Sequence, residues 1–449
     1  MESTALYRTI WRWHFYAGLL VIPLVLILSL TGAAYLFKPQ IDRWEERSFH
    51  GLVEEGAVSP AMQVSAAMAA FPGSRFDAYR LPEMPGDAAA ITLAPAGAAP
   101  RDVFVSPQGE VLGSRDPEQT ITKVLARFHG SLMLGTIGDW IVELAASWAI
   151  VMILTGLYLW LPRGSGLGGV LWPRLALKGR AFWRDIHAVT GFWVSGLALV
   201  LLFTGLPWAG VWGSAFAAAR AELGLVQGVQ DWKTGGDGDH SAHSHGAHDH
   251  GGMASMGAGP GQFVPDQKLN LIVAQAKGEK LAFPASVLPP GAPQMFGPPT
   301  GQVWTAKSEA QNRPLGRSVT YDLRSGREIA RSGFADKHPI DRIVNYGIAW
   351  HEGQLLGWFN QLVGVLTAAM LFTVSVSGFA MWRKRRPAGR GLGAPPPLKR
   401  KATRKGVVMG GVVLAALLPL FALSLAALWL IERLVLRRIP PVAGWLGLA

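Results

Sequence analysis

The sequence predicts a membrane all-α helical bundle, a duplicated four-span core plus a fifth span, carrying two small external α+β modules. Three observations predict it: long uncharged stretches, basic residues confined to short loops, and an internal repeat.

Half of the 449 residues are hydrophobic and only 16% are charged, where soluble chains carry about 25%. The deficit is concentrated in stretches 15–37, 144–162, 186–219, 353–382 and 406–431. Each reaches the roughly 20 residues that cross a bilayer core. The first run is longer than a usual signal-peptide core and has a counterpart inside the chain, so it reads as a span.

The net charge of +12 would fit nucleic acid, but its placement argues for a membrane. Segment 163–184 holds Arg163, Arg174, Lys178, Arg180 and Arg184 without an acid, and segment 383–405 holds ten basic residues without an acid. Segment 38–128 has nine basic and twelve acidic residues, and segment 220–352 has thirteen of each. Short basic loops stay on the cytoplasmic side. The expected protein is therefore a multi-pass protein of the bacterial inner membrane, in contact with lipid, with a cytoplasmic N-terminus. Both large segments are expected in the periplasm, and a fifth span then sends the C-terminus outside. There are no cysteines, which excludes disulfides, thiolate zinc, iron–sulfur clusters and thioether-linked haem.

The repeat orders these elements. Span 1 opens at His14 with Gly18 and Thr31-Gly32, and span 3 opens at His187 with Gly191 and Thr204-Gly205. The distance from histidine to threonine is seventeen in both. Span 2 follows His129, with Gly135, Thr155-Gly156 and Trp160; span 4 follows His351, with Gly357, Ser377-Gly378 and Trp382. From histidine to hydroxyl residue the distance is twenty-six in both. Each external segment has a helix-like stretch, near 60–71 and 266–280, and a hairpin, 103–111 and 319–327 with Gly at the turn. The chain divides into span 1 (1–37), a first module (38–128), span 2 (129–163), a loop (164–184) and span 3 (185–210). A second module (211–350) with an insertion (237–256), span 4 (351–383), a basic loop (384–405), span 5 (406–432) and a tail (433–449) complete it.

Of eleven histidines, four occupy repeat positions: His14, His187, His129 and His351. A lone histidine at a membrane surface more often snorkels or caps. Four at equivalent positions point instead to two bis-imidazole haem b sites, His14 with His187 on the cytoplasmic side and His129 with His351 outside. Gly18 and Gly191, one turn on, would leave room for a macrocycle. Fourteen residues separate His129 from Glu143, about 21 Å if all helical, so the outer pair needs a helix break near Gly135 and Gly138. His50 and His338 lack repeat partners. The insertion holds His240, His243, His245, His248 and His250, followed by Met253 and Met256, a composition that binds divalent metal loosely.

Trp11-Arg12-Trp13-His14 through Thr31-Gly32 carries a family resemblance, as do Phe128-His129-Gly130-Ser131-Leu132 through Trp160, Trp183-Arg184-Asp185-Ile186-His187 through Thr204-Gly205, and Trp350-His351-Glu352-Gly353 through Trp382. With these motifs the chain resembles the PepSY-associated transmembrane family, the iron-regulated membrane proteins that include FoxB-type ferrisiderophore reductases. The resemblance implies PepSY-like periplasmic modules, haem between spans and reduction of a ferric-siderophore outside. The fifth span and His-rich loop depart from the simplest four-span pattern.

The leading expectation is a haem-dependent metal or ferrisiderophore reductase passing electrons across the membrane to a periplasmic ferric chelate, or to copper if the His-rich loop is a guide. No Gly-rich dinucleotide fingerprint follows a strand, so quinol or a separate cytoplasmic reductase is the expected donor. A membrane-anchored sensing or protease-inhibitory protein explains the modules but not the histidines. A metal-uptake transporter is disfavoured because the span centres Val21–Leu28 and Val194–Leu202 hold no acid or histidine.

Overall fold

The computed structural model describes residues 2–161, 167–226, 232, 267–294, 296–385, 391–395 and 405–448. The chain opens with α1 (Glu2–Tyr35) and the short α2 (Lys38–Glu45). It then leaves the bundle through α3 (Pro60–Ala70), which starts where Ser59 accepts a hydrogen bond from the Met62 amide and Pro60 supplies a ready helical φ. Strands β1 (Arg75–Arg80), β2 (Ala89–Ala94), β3 (Arg101–Val105) and β4 (Val111–Arg115) form an antiparallel meander. Helices α4 (Ile121–Ser131) and α5 (Gly135–Trp160) return to the bundle. The order then recurs: α6 (Gly179–Gly205), α7 (Gly210–Glu222), α8 (Gln267–Gly278), a second meander of β5 (Ala285–Leu288), β6 (Val303–Ser308), β7 (Arg317–Asp322) and β8 (Glu328–Gly333), then α9 (Pro339–His351) and α10 (Trp358–Arg385). The chain finishes with α11 (Lys405–Leu417), α12 (Pro419–Leu434) and α13 (Pro440–Leu446).

The two external segments are not separate bodies. They share one eight-stranded sheet in the order β4-β3-β2-β1-β5-β6-β7-β8. The seam is the antiparallel β1–β5 pair, with Tyr79 opposite Val287 and Arg80 opposite Ser286. Helices α3 and α8 cover the sheet through one core built from Val64, Leu269, Ile272, Tyr79, Trp304 and their neighbours. Each large apolar side chain there contributes roughly 1.5–3 kcal/mol. Tyr79 donates to Gln63 Oε1 at 2.6 Å and Gln63 donates to the Ser106 carbonyl at 2.9 Å, so the polar atoms beneath α3 are satisfied. The outer strands β4 and β8 each lead, through one 3-10 turn (Pro117–Gln119 and Phe334–Asp336), into a short helix, α4 and α9, and so into a span.

Among the described residues, five helices are long and apolar enough to cross a membrane: Ala5–Tyr35, Gly135–Trp160, Gly179–Trp208, Trp358–Arg385 and Pro419–Arg438. Asp139 and Glu143 of α5 are buried, and their carboxylates accept from the Gly210, Val211 and Trp212 amides. They occupy the position at the α7 N-terminus where unpaired amides and the helix dipole favour negative charge.

The end of the chain differs from the sequence expectation. Stretch 406–431 is not one span, because Pro419 ends α11 and starts α12. The Leu417 carbonyl accepts from Trp212 Nε1 at 2.9 Å, near the sheet end of the bundle, and Ser424 accepts from Trp148 Nε1 at 3.1 Å, part-way down α5. From there the chain runs to the opposite end. The Leu446 carbonyl accepts from Tyr16 Oη at 2.5 Å, the Gly447 carbonyl accepts from Arg12 at 2.6 Å, and Leu392 donates to the Trp445 carbonyl at 2.7 Å. The tail thus packs beside the first turns of α1 and the loop after α10. Arg433, Arg437 and Arg438 need not cross, which removes the energetic objection to placing them after a span.

Candidate functional site

The structure brings the four repeat histidines together in two pairs. The ring centres of His14 and His187 lie 6.4 Å apart with planes at 85°, and those of His129 and His351 lie 6.2 Å apart with planes at 66°. All four are partly buried. Along α1, seventeen residues separate His14 from Thr31, which touches His129. That is about 26 Å of helix, close to the roughly 30 Å of a bilayer core. The pairs therefore sit towards opposite ends of the bundle, His129 and His351 at the sheet end.

His129 reaches its depth because α4 is not continuous with α5. Leu132 and Met133 take left-handed φ values of 51° and 60°, and Gly135 takes 58°. The helix start then folds against the end of α4, where a Cβ on Gly138 would overlap the Ser131 carbonyl. Only glycine permits that approach. On the other side Gly353 and Gly357 turn at 73° and 58° between α9 and α10. Gly135 and Gly357 are the two glycines six residues after each outer histidine.

Each histidine is held by a different helix of its own half of the chain. His14 Nδ1 is 2.9 Å from Thr155 Oγ1 of α5, and His129 Nδ1 is 3.1 Å from Thr31 Oγ1 of α1. His187 Nδ1 is 2.9 Å from the Val374 carbonyl and 3.3 Å from Ser377 Oγ, both on α10. His351 Nδ1 is 3.0 Å from the Leu201 carbonyl and 3.2 Å from Thr204 Oγ1, both on α6. The glycine after each hydroxyl residue makes room for the ring. A Cβ on Gly156, Gly32, Gly378 or Gly205 would meet Cε1 of His14, His129, His187 or His351 at 3.2, 2.9, 3.4 and 3.1 Å respectively. The sequence marked these Thr-Gly and Ser-Gly pairs by their constant spacing, but not their contact with the histidines. Gly18 and Gly191 border Met152 Cε and Val374 Cγ2. Trp208 meets His351 edge-on, ring centres 5.5 Å apart.

Two imidazoles bound to one metal through bonds of roughly 2 Å, from opposite sides, have ring centres about 6 Å apart. Both pairs match that separation. Among the described residues no three histidines or carboxylates converge as a metal cage would require. A bare ion takes four or more ligands, so a pair of imidazoles suits a metal whose other positions are filled by a planar macrocycle. The residues present fit haem.

The other histidines have local duties. His50 Nδ1 sits 2.9 Å from the Asp87 carboxylate in the sheet domain, and His338 Nδ1 accepts from the Ile340 amide at 3.3 Å, capping α9. His240, His243, His245, His248 and His250 lie outside the described residues.

The family model described as the PepSY-associated TM region matches residues 11–385. This chain belongs to that family. The match begins at Trp11, takes in both histidine pairs and the whole sheet, and ends with α10, before α11, α12 and the tail. No curated protein matches the chain.

Proposed function

We propose that this PepSY-associated protein is a di-haem oxidoreductase of the bacterial inner membrane, carrying electrons from the cytoplasmic face to an acceptor on the sheet side. The observation that carries the reading is the pair of imidazole pairs, with ring centres 6.4 and 6.2 Å apart and one pair towards each end of the bundle. His14 and His187 would hold one haem, His129 and His351 the other. When bound, haem supplies reversible one-electron transfer at iron.

The chain's own residues do the rest. Neutral imidazoles place ligands at both membrane faces without burying a bare charge. The hydroxyls and carbonyls on Nδ1 fix ring orientation, as outer partners of metal-bound histidines do. The apolar spans keep water from the core. The external modules read as PepSY-like, on a duplicated four-span core. The acceptor on that side is a ferric chelate of siderophore type, or copper if the insertion 237–256 collects it. The donor is quinol or a cytoplasmic reductase.

The test is haem-to-protein stoichiometry with oxidised and dithionite-reduced spectra of four variants. His14→Ala and His187→Ala should each remove one haem and leave the other. His129→Ala and His351→Ala should remove the second and leave the first, and acceptor reduction should fail in all four. A wild-type protein that takes up no haem when supplied with it would overturn the reading.

A further inference from the structure

Each hydroxyl that touches a histidine is already a donor to its own helix. Thr155 Oγ1 donates to the Val151 carbonyl at 2.8 Å, Thr31 Oγ1 to Ile27 at 2.9 Å, Thr204 Oγ1 to Val200 at 2.8 Å and Ser377 Oγ to Thr373 at 2.7 Å. A hydroxyl has one proton. With that proton on a helix carbonyl, the oxygen can only accept from the imidazole. The carbonyls of Val374 and Leu201 can never do otherwise. The carbonyls put the ring proton of His187 and His351 on Nδ1, with the lone pair on Nε2, and His14 and His129 take the same tautomer as long as Thr155 and Thr31 keep their protons on their own helix carbonyls.

We propose that Thr155 and Thr31 are positioning residues that hold His14 and His129 in the Nδ1–H tautomer, as the Val374 and Leu201 carbonyls hold His187 and His351 with Ser377 and Thr204 as second acceptors, so that every ring presents Nε2 as its metal ligand. This rests on the di-haem reading for its purpose but not for its geometry. The lock is unequal. His187 and His351 donate to a backbone carbonyl as well as a hydroxyl, and that carbonyl survives any side-chain change. His14 has Thr155 as its hydrogen-bond partner on Nδ1. Thr155 is thus a position where the tautomer depends on one side chain, while Ser377 is backed by Val374.

The experiment compares full-length wild type, Thr155→Val, Thr155→Ser and Ser377→Ala in lipid nanodiscs, with ring-15N histidine, first without haem and then loaded. In the haem-free protein the ring nitrogen shifts report the tautomer of each residue. Wild type should show Nδ1–H at His14 and His187. Thr155→Val should change the His14 tautomer ratio roughly five- to tenfold, the equivalent of one lost hydrogen bond. Thr155→Ser should restore it, and Ser377→Ala should leave His187 unchanged. In the loaded protein, the midpoint potential of the haem at the His14 pair should move in Thr155→Val and not in the other two. A wild-type His14 with its proton on Nε2, or equal effects of Thr155→Val and Ser377→Ala, would overturn the proposal. If the tautomers behave as stated and no haem binds, the di-haem reading fails and the lock stands.

Discussion

Adding one methyl group opposite each imidazole should damage haem binding in an order set by the structure. The positions are Gly32, Gly205, Gly156 and Gly378, where a Cβ would lie 2.9, 3.1, 3.2 and 3.4 Å from Cε1 of His129, His351, His14 and His187. Carbon atoms rest at about 3.5–4.0 Å. Gly32→Ala therefore forces the His129 ring back by roughly 0.6 Å or more, while Gly378→Ala makes little more than an ordinary contact. Overpacking of this kind costs about 1–3 kcal/mol. At 1.4 kcal/mol per factor of ten, haem affinity at the sheet-side pair should fall roughly five- to a hundredfold in Gly32→Ala. Gly378→Ala should stay close to wild type. Alanine is the better helix former by about 1 kcal/mol, so lost haem could not be charged to a weakened backbone. The assay is haem titration of purified haem-free variants, followed by the reduced spectrum. Gly32→Ala and Gly205→Ala should lose the haem of the His129 and His351 pair, and Gly156→Ala that of the His14 and His187 pair. If Gly378→Ala were the most damaging, or if Gly32→Ala emptied the His14 and His187 pair first, the assignment of these glycines to these rings would be wrong.

Three further outcomes follow from other parts of the molecule. Arg220 and Asp341 form a buried two-point ion pair at 2.9 and 3.0 Å, with Trp232 Nε1 also donating to Asp341 at 2.9 Å; Asp341→Ala strands a buried guanidinium and should cost about 3–5 kcal/mol in chemical denaturation, with Asp341→Asn costing less. Removal of residues 237–256 should leave haem stoichiometry and spectra unchanged, since both histidine pairs lie elsewhere, and a lost haem would place the insertion at a haem site. Because the chain has no cysteine, single cysteines can report sidedness: those at Gly393 and Gly447 should react with an impermeant maleimide from the same face, and those at Gly97 and Gly301, where a side chain meets nothing within 4 Å, from the other. Labelling of Gly447 together with Gly97 would contradict the returning tail.

The site was legible to the extent that it lay in spacing. A histidine seventeen residues before one hydroxyl-glycine pair, and another twenty-six before the next, is a pattern that periodic helices preserve, and it named all four rings that the structure pairs. What it could not say was which helix each hydroxyl serves, because His14 meets Thr155 and His129 meets Thr31 across long loops. One hairpin of each meander, β3–β4 and β7–β8, was readable from its turn. The union of the two meanders was not, since β1 and β5 are joined by a long-range register at Tyr79 and Val287 with no local signature. The depth of His129 depended on Leu132 and Met133, residues with no propensity for the left-handed turn they make. The reversal at Pro419 was legible in principle: a proline in an apolar run marks the first turn of a new helix as readily as a kink.

The hydrogen bonds to the rings run within each half of the chain, while the ring-to-ring gaps lie between halves. Thr155 and Thr31 hold His14 and His129; Ser377 and Thr204 hold His187 and His351. Neither half alone completes a pair of ligands. A group ligated by both members of a pair would therefore also be a fastener, tying one half of the bundle to the other at two heights. Ligands that bind only the assembled state stabilise it in proportion to the logarithm of their excess over Kd. If the gaps hold haem, cofactor supply would add to the stability of a bundle whose halves the β1–β5 seam already joins, and the haem-free protein should be looser around the four rings and more open to proteolysis there.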